Sequence, residues 1–301
     1  MNHYNIDISN PKCWTQVVSD HKQHILEVLD LMRPLYSNHL FKFKWGLYAY
    51  SWTGGIILYE NEIREVAKLL DISFEECLLF QITYELCSAC TSAILKSNGQ
   101  YVHVRTMDWD LELLKKITIS CTFYNKDKYL FDAVGWAGCV GIFTGLKKNH
   151  YTISLNYRRT VKPSMWENIK ALFGGCYPSS FYIRTLLESN DDPIELTKKI
   201  KLVAPAYYTI LTKEQGATII RDRDSYKIKY APYAQTNCDD VDCGDDIMYS
   251  FDRIKQMNKI LGLDMSLTNL IAYVSQFPVN NEHTIYTTIM TPNGFLYNAI
   301  N

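Results

Sequence analysis

The chain has 301 residues, 47% of them hydrophobic and 21% charged, which fits a globular protein of one large or two small domains with a sizeable core. Its 31 Lys and Arg against 32 Asp and Glu are interspersed and leave a net charge of −1, which excludes the basic footprint of a nucleic-acid surface and a polybasic lipid patch. No apolar run approaches the ~18 residues of a membrane helix, and the opening MNHYNIDISNPKCWTQ lacks the flank and apolar core of a secretory leader.

The first ninety residues read mainly as helix. Ile25, Val28, Leu29 and Met32 share one face before Pro34, and Ile63, Val66, Ala67 and Leu70 share another. Ser73 with Glu76 forms a capping box that opens a helix toward Cys87. From Cys90 onward the texture is β: runs at 90–97, 101–106, 117–124, 128–134 and 151–157 are punctuated by Asn98-Gly99 and by glycines at 135, 138, 141 and 145. A helical block follows over 164–201, with Pro193 opening its last short helix. Strands return at 207–213, 217–222, 226–230 and 233–237. A long helix carrying Ile247, Phe251, Ile254, Met257 and Leu261, a shorter one from Ser266, and strands at 283–291 and 295–299 complete the chain. Strand blocks with hairpin-length connections, interrupted by helical blocks, predict an α+β fold of antiparallel sheets between helix layers.

A strand cysteine is more often a small buried hydrophobe than a nucleophile, and the neighbours must separate the two readings. The Asn98-Gly99 turn returns the chain as a hairpin, so Arg105 and Asp108 come back beside Cys90, and a nearby guanidinium favours thiolate. His103 shares the strand face of Arg105 and reads as a hydrogen-bonded core histidine. The acidic CDDVDCGDDIMYS reads as solvated surface. Its spacing fits no EF-hand, and Cys238 with Cys243 lacks the second Cys or His pair of a zinc site. No cofactor or metal is expected.

CTSAIL with NGQYVHVRTMDWD resembles the maturation site of the acid ceramidase and N-acylethanolamine acid amidase family. VGWAGCVGIFTG, MWENIKALF, APAYYTIL, IIRDRDS, QTNCD and PVNNEHTIYTTIM resemble further stretches in the same order, over roughly residues 55–295. The resemblance implies an N-terminal-nucleophile (Ntn) hydrolase: an αββα four-layer sandwich with an N-terminal helical segment. It also implies a precursor that cuts itself at Ala89–Cys90, giving a helical fragment 1–89 and a catalytic core 90–301 that stay associated. In such an enzyme the thiol is the nucleophile and the freed α-amino group the general base. Position by position, the resemblance makes Arg105 the arginine that holds the thiolate or substrate carbonyl. Asp108 becomes the acceptor for the new ammonium, Asn237 and Asn156 the candidate oxyanion donors, and Arg253 the arginine that closes the set. The chain departs from the family at Tyr157, where a glutamate is usual, so acid-triggered self-cleavage lacks a supporting carboxylate.

The substrate class this implies is an N-acyl lipid amide. WAGCVG, APAYY, QTN and Asn156 lean toward a ceramidase and WEN toward an N-acylethanolamine amidase; bile-salt and penicillin acylases are more distant. An acyl chain requires an apolar channel, for which LFKFKWGLYAYSWTGGIILY supplies side chains, and a transient contact with a membrane surface. A non-maturing lipid-binding relative is the rival reading from another class. The nine irregularly spaced cysteines and the lack of any Asn-X-Ser/Thr sequon predict reduced thiols in a cytosol-like compartment or export without a cleaved leader, although the relatives are lysosomal.

Overall fold

In the computed structural model, which describes residues 1–52, 55–82, 89–159, 165–239 and 247–301, the amino-terminal apolar periodicity becomes a long helix. Strand β1 (Asn2–Asp7) precedes helix α1 (Thr15–Trp52), which buries Val18, Ile25, Val28, Leu29 and Met32 along one face. The helix runs through Pro34 instead of stopping before it. Pro34 lies on the exposed face, where water can satisfy the carbonyl that its missing N–H leaves. Helix α2 (Glu60–Leu70) buries Ile63, Val66, Ala67 and Leu70, and α3 (Phe74–Ile82) starts where the Ser73 hydroxyl accepts the Glu76 N–H at 3.2 Å. Residues 83–88, with the expected continuation of this helix to Cys87, lie outside the described residues.

The hairpin of β2 (Ala89–Ser97) and β3 (Gln100–Asp108) turns at Asn98 (φ 50°) and Gly99 (φ 79°), the paired positive φ values that a tight two-residue turn needs. There follow α4 (Leu114–Ile117), β4 (Thr118–Asn125), β5 (Lys128–Trp136), β6 (Thr144–Lys147), β7 (Tyr151–Tyr157), α5 (Met165–Phe173), α6 (Ser179–Glu188) and α7 (Pro193–Lys199). The chain closes with β8 (Ala206–Thr212), β9 (Gly216–Arg221), β10 (Tyr226–Tyr230), β11 (Tyr233–Gln235), α8 (Ser250–Asn258), β12 (Asp264–Met265), α9 (Leu267–Val274), β13 (Thr284–Thr291) and β14 (Gly294–Ile300). The helix expected from Ile247 begins only at Ser250, because Met248 (φ 48°) and Tyr249 (φ 59°) are left-handed.

Two sheets result. One runs β1-β4-β5-β6-β7-β8-β9-β10, and the other runs β11-β2-β3-β13-β14 with β12 also paired to β2. Among the described strands the pairings are antiparallel except β1 with β4 and β12 with β2. Helices α6 and α7 cover the outer face of the first sheet. Helices α8 and α9 bury Met257, Leu270 and Val274 against Ala93, Leu95, Val102 and Val104 of the second. Gly145 admits the close approach of α6, since a Cβ there would meet Leu187 Cδ1 at 2.4 Å. The inner faces meet through polar groups, His103 reaching Thr152 and Ser154, each at 2.8 Å. The layers are helix, sheet, sheet, helix.

The described residues of the first ninety are bound into this sandwich at several points, among them β1, the Arg184–Glu62 pair and Gln81, whose side chain bonds the Gly138 carbonyl and the Val140 N–H. β1 extends the eight-stranded sheet, and Arg184 of α6, wholly buried, pairs with both oxygens of Glu62 at 2.7 Å. β1 is not legible as a strand because only Ile6 of its six residues is buried; it is held by backbone pairing at a sheet edge.

Candidate active site

Strand register decides which side chains can meet. Residues directly opposite on paired strands share a sheet face, and neighbours along a strand alternate. One row across β2, β3 and β13 is Cys90, Met107 and Tyr286, and the next is Ser92, Arg105 and Thr288. Both rows face the other sheet. Asp108 is three residues from Arg105, so it turns to the opposite face, in a row with Ala89 and Thr284. The hairpin therefore brackets Cys90 from two sides.

On the inner side, the Cys90 thiol donates to Met107 Sδ at 3.7 Å, and Arg105 Nη2 donates to the same sulfur at 3.4 Å. Arg105 also donates through Nη1 to Asn156 Oδ1 (3.0 Å) and the Thr106 carbonyl (3.1 Å), and through Nε to Thr144 Oγ1 (3.3 Å). Asn156 Oδ1 accepts the Ser92 hydroxyl as well, at 2.7 Å. On the outer side, Arg253 of α8 donates through Nη1 to Asp108 Oδ2 and to Thr91 Oγ1, both at 2.8 Å, and through Nη2 to Asn237 Oδ1 at 3.3 Å. Thr284 donates to Asp108 Oδ1 at 2.6 Å. Asn237, just past β11, closes the ring, its Oδ1 accepting the Cys90 N–H at 2.7 Å.

Thus all six residues singled out from the sequence, Cys90, Arg105, Asp108, Asn156, Asn237 and Arg253, lie in one buried cluster, each 1% exposed or less. Their partners differ in detail from expectation. The acceptor at the Cys90 nitrogen is Asn237, while Asp108 anchors Arg253. The amide groups of both asparagines are engaged, Asn156 Nδ2 with the Gln235 carbonyl (3.0 Å) and Asn237 Nδ2 with the Tyr157 carbonyl (2.8 Å). Arg253 is a buried clamp, not a solvated helix residue.

Two buried guanidinium groups face one buried carboxylate here, so the cluster is suited to stabilising a negative charge that develops beside Cys90. Burial raises the Asp108 carboxyl above its ordinary value, with Arg253 the largest opposing influence. Burial likewise pushes His103 down to about 3, aided by Arg105, which leaves it a neutral core residue. Thr91, Ser92, Thr144, Thr284 and Tyr286 complete the hydrogen bonds and were not foreseen. Thr91 and Ser92 had a sequence signal in their adjacency to Cys90, and Thr144, Thr284 and Tyr286 lay within the stretches VGWAGCVGIFTG and PVNNEHTIYTTIM that carry the family resemblance.

Arg158, next to Tyr157, is held by Asp239 (2.5 Å) and Asp222 (2.7 Å), and Tyr207 donates to Asp239 at 2.6 Å. Burial opposes ionisation of Asp239, yet these donors hold its carboxyl below the ordinary value. Residues 240–246 of the acidic loop, with Cys243, lie outside the described residues. Cys238 is disulfide-bonded, a departure from the expected reduced thiols, while Cys13, Cys77, Cys90, Cys121, Cys139 and Cys176 stand outside any disulfide. Among the described residues no group of three or more His, Cys, Asp or Glu could hold a metal ion, and no helix is long and apolar enough to cross a membrane.

An apolar cavity of about 420 Å³ opens between α1, α3, α5 and α6, lined by Leu47, Ile57, Leu78, Leu172, Phe173 and Phe181. Near it, α1 exposes Phe41, Trp45 and Tyr48, and Ile56 is exposed beyond the end of α1.

No protein-family model matches the chain. An uncharacterized protein of Acanthamoeba polyphaga mimivirus is 30% identical over 94% of both chains. The N-acylethanolamine-hydrolyzing acid amidase of Rattus norvegicus is 32% identical, over 77% of this chain and 68% of that one. Human acid ceramidase is 27% identical over 77% and 67%. The solved structure of a Caenorhabditis elegans N-acylethanolamine-hydrolyzing acid amidase ortholog aligns with a TM-score of 0.56 and 25% identity, covering 68% of this chain and 93% of that one. Two facing sheets between helix layers, a buried polar cluster around Cys90 at the start of β2, and these relatives agree: the chain belongs to the acid ceramidase and N-acylethanolamine acid amidase family, amide-hydrolysing enzymes of the Ntn-hydrolase fold.

Proposed function

We propose that this chain is a precursor that cuts itself between Ala89 and Cys90, and that the freed Cys90 hydrolyses the amide bond of an N-acyl lipid, with ceramide preferred over N-acylethanolamines. The observation that carries the reading is the 2.7 Å bond from the Cys90 nitrogen to Asn237 Oδ1. A fixed acceptor stands where a new α-ammonium would need one, beside a thiol flanked by a buried arginine.

In maturation the Cys90 sulfur attacks the Ala89 carbonyl carbon, the C–N bond breaks as the nitrogen takes the thiol proton, and a thioester joins Ala89 to the sulfur. Water then hydrolyses the thioester, leaving the Ala89 carboxylate on fragment 1–89 and a free amine and thiol on fragment 90–301. In turnover the α-amine accepts the thiol proton and Asn237 Oδ1 orients it. The thiolate attacks the substrate carbonyl, Arg105 donates to the developing oxyanion, and the ammonium protonates the leaving amine. Water hydrolyses the acyl thioester to the fatty acid. With both asparagine amides engaged elsewhere, Arg105 is the donor best placed for the oxyanion, and Asn156 acts by holding its guanidinium.

The apolar cavity suits an acyl chain, whose burial contributes ~0.8 kcal/mol per methylene. Phe41, Trp45, Tyr48 and Ile56 suit contact with a lipid surface from which such a substrate would be drawn. The two fragments stay together through β1 and the Arg184–Glu62 pair. The test is release of fatty acid from ceramides and from N-acylethanolamines of matched chain length, with Cys90→Ala alongside. Hydrolysis lost in the variant supports the reading, hydrolysis retained by it defeats the reading, and faster turnover of the N-acylethanolamine reverses the substrate preference.

A further inference from the structure

Tyr286 lies in the same cross-strand row as Cys90 and Met107, wholly buried on the inner face of β13. Its hydroxyl shares a 2.8 Å hydrogen bond with Thr144 Oγ1 on β6 and accepts one from Arg105. Thr144 Oγ1 in turn accepts Arg105 Nε at 3.3 Å. Two hydroxyls, one from each sheet, therefore hold one guanidinium across the sandwich. The acceptors named for Arg105, namely Thr144, Tyr286, Asn156, the Thr106 carbonyl and the Met107 sulfur, are all neutral. They fix its position beside the place where an anion would form at Cys90.

We infer that Tyr286, acting with Thr144, is a positioning residue for the amide hydrolysis: its hydroxyl sets the Arg105 guanidinium beside the Cys90 sulfur. This rests on the reading of Cys90 as the nucleophile and Arg105 as the oxyanion donor. A phenylalanine keeps the ring in the row and removes only the hydroxyl. Because Arg105 would still bind the substrate side of the site, the loss falls on the chemical step and not on affinity.

The test uses the full chain, matured to the same extent as judged by intact mass. Tyr286→Phe should lower kcat for a ceramide by about tenfold to a hundredfold while KM stays within about twofold, and should slow alkylation of Cys90 by iodoacetamide at pH 7. The thermal midpoint should fall by no more than a few degrees. Thr144→Val should give the same kinetic signature and Thr144→Ser should restore it. The double variant Tyr286→Phe/Thr144→Val should be no slower than the slower single, because both act through one guanidinium. A kcat within twofold of the parent, a loss confined to KM, or losses that multiply in the double variant would overturn the assignment. If Cys90→Ala still hydrolyses the amide, the reading of Cys90 falls and this inference with it. If Cys90→Ala is inactive while Tyr286→Phe is unimpaired, only the role of Tyr286 falls.

Discussion

Arg253→Met keeps most of the side chain's volume and removes the charge that meets Asp108 at 2.8 Å. Both partners are wholly buried, so solvent cannot share the loss. Asp108 is left with the Thr284 and Thr106 hydroxyls, and Thr91 and Asn237 each lose a donor. Removing one partner of a buried ion pair typically costs about 3–5 kcal/mol, a large part of the ~5–15 kcal/mol that holds a domain folded. The Asp108 carboxyl, already raised by burial, rises further once Arg253 is gone. A carboxyl raised on folding gives stability that is fully present below its unfolded pKa and is lost as pH rises through the folded one. The deficit of the variant is therefore largest near pH 7.5 and shrinks on acidification toward about pH 4. Urea denaturation at pH 7.5, 6 and 4.5, in a Cys90→Ala background so that every chain stays intact, measures it. The double variant Arg253→Met/Asp108→Leu should lose less than the two singles summed. A deficit under about 1 kcal/mol, or one that does not change with pH, would refute the buried-clamp argument.

Further outcomes follow from the same structure. His103 is held neutral, its folded pKa near 3 against an ordinary 6.5, so its contribution is lost as pH falls below the ordinary value. Between pH 7.5 and 4.5 the parent should lose about 2–3 kcal/mol more than His103→Gln, and equal losses would contradict this. Arg184→Met breaks the pairing with Glu62 and should cost about 3 kcal/mol or more, so that the matured fragments separate at lower urea on size exclusion; an unchanged midpoint would show that β1 and helix packing alone hold them. Ile57→Trp fills part of the apolar cavity and should raise KM about fivefold or more for a long acyl chain but not for a short one; equal effects on both would place the chain elsewhere.

Much of this was legible in the sequence because the signals were local. Asn98-Gly99 fixed a turn, and the α2 periodicity fixed a buried face. What escaped was set by tertiary context. β1 buries a single side chain, and β6 is four residues long after a glycine-rich stretch, so neither carries a pattern of its own. α1 passes Pro34 because that face meets water. At the site, proximity of Arg105 and Asp108 to Cys90 was foreseen, but their opposite faces were not, although period-two alternation over three residues dictates it. Tyr286 and Thr144 come from strands far along the chain, and only the register of β13 and the facing of the two sheets bring them to Arg105.

Whether Cys90 becomes an N-terminus is read from the intact mass of the purified full chain, held at pH 4.5 and at pH 7.5 beside Cys90→Ala. Two fragments dividing between Ala89 and Cys90, absent from the variant, are the predicted result. A single uncut chain at both pH values, or a cut that persists in Cys90→Ala, would contradict it, and the uncut chain would favour a non-maturing lipid-binding relative.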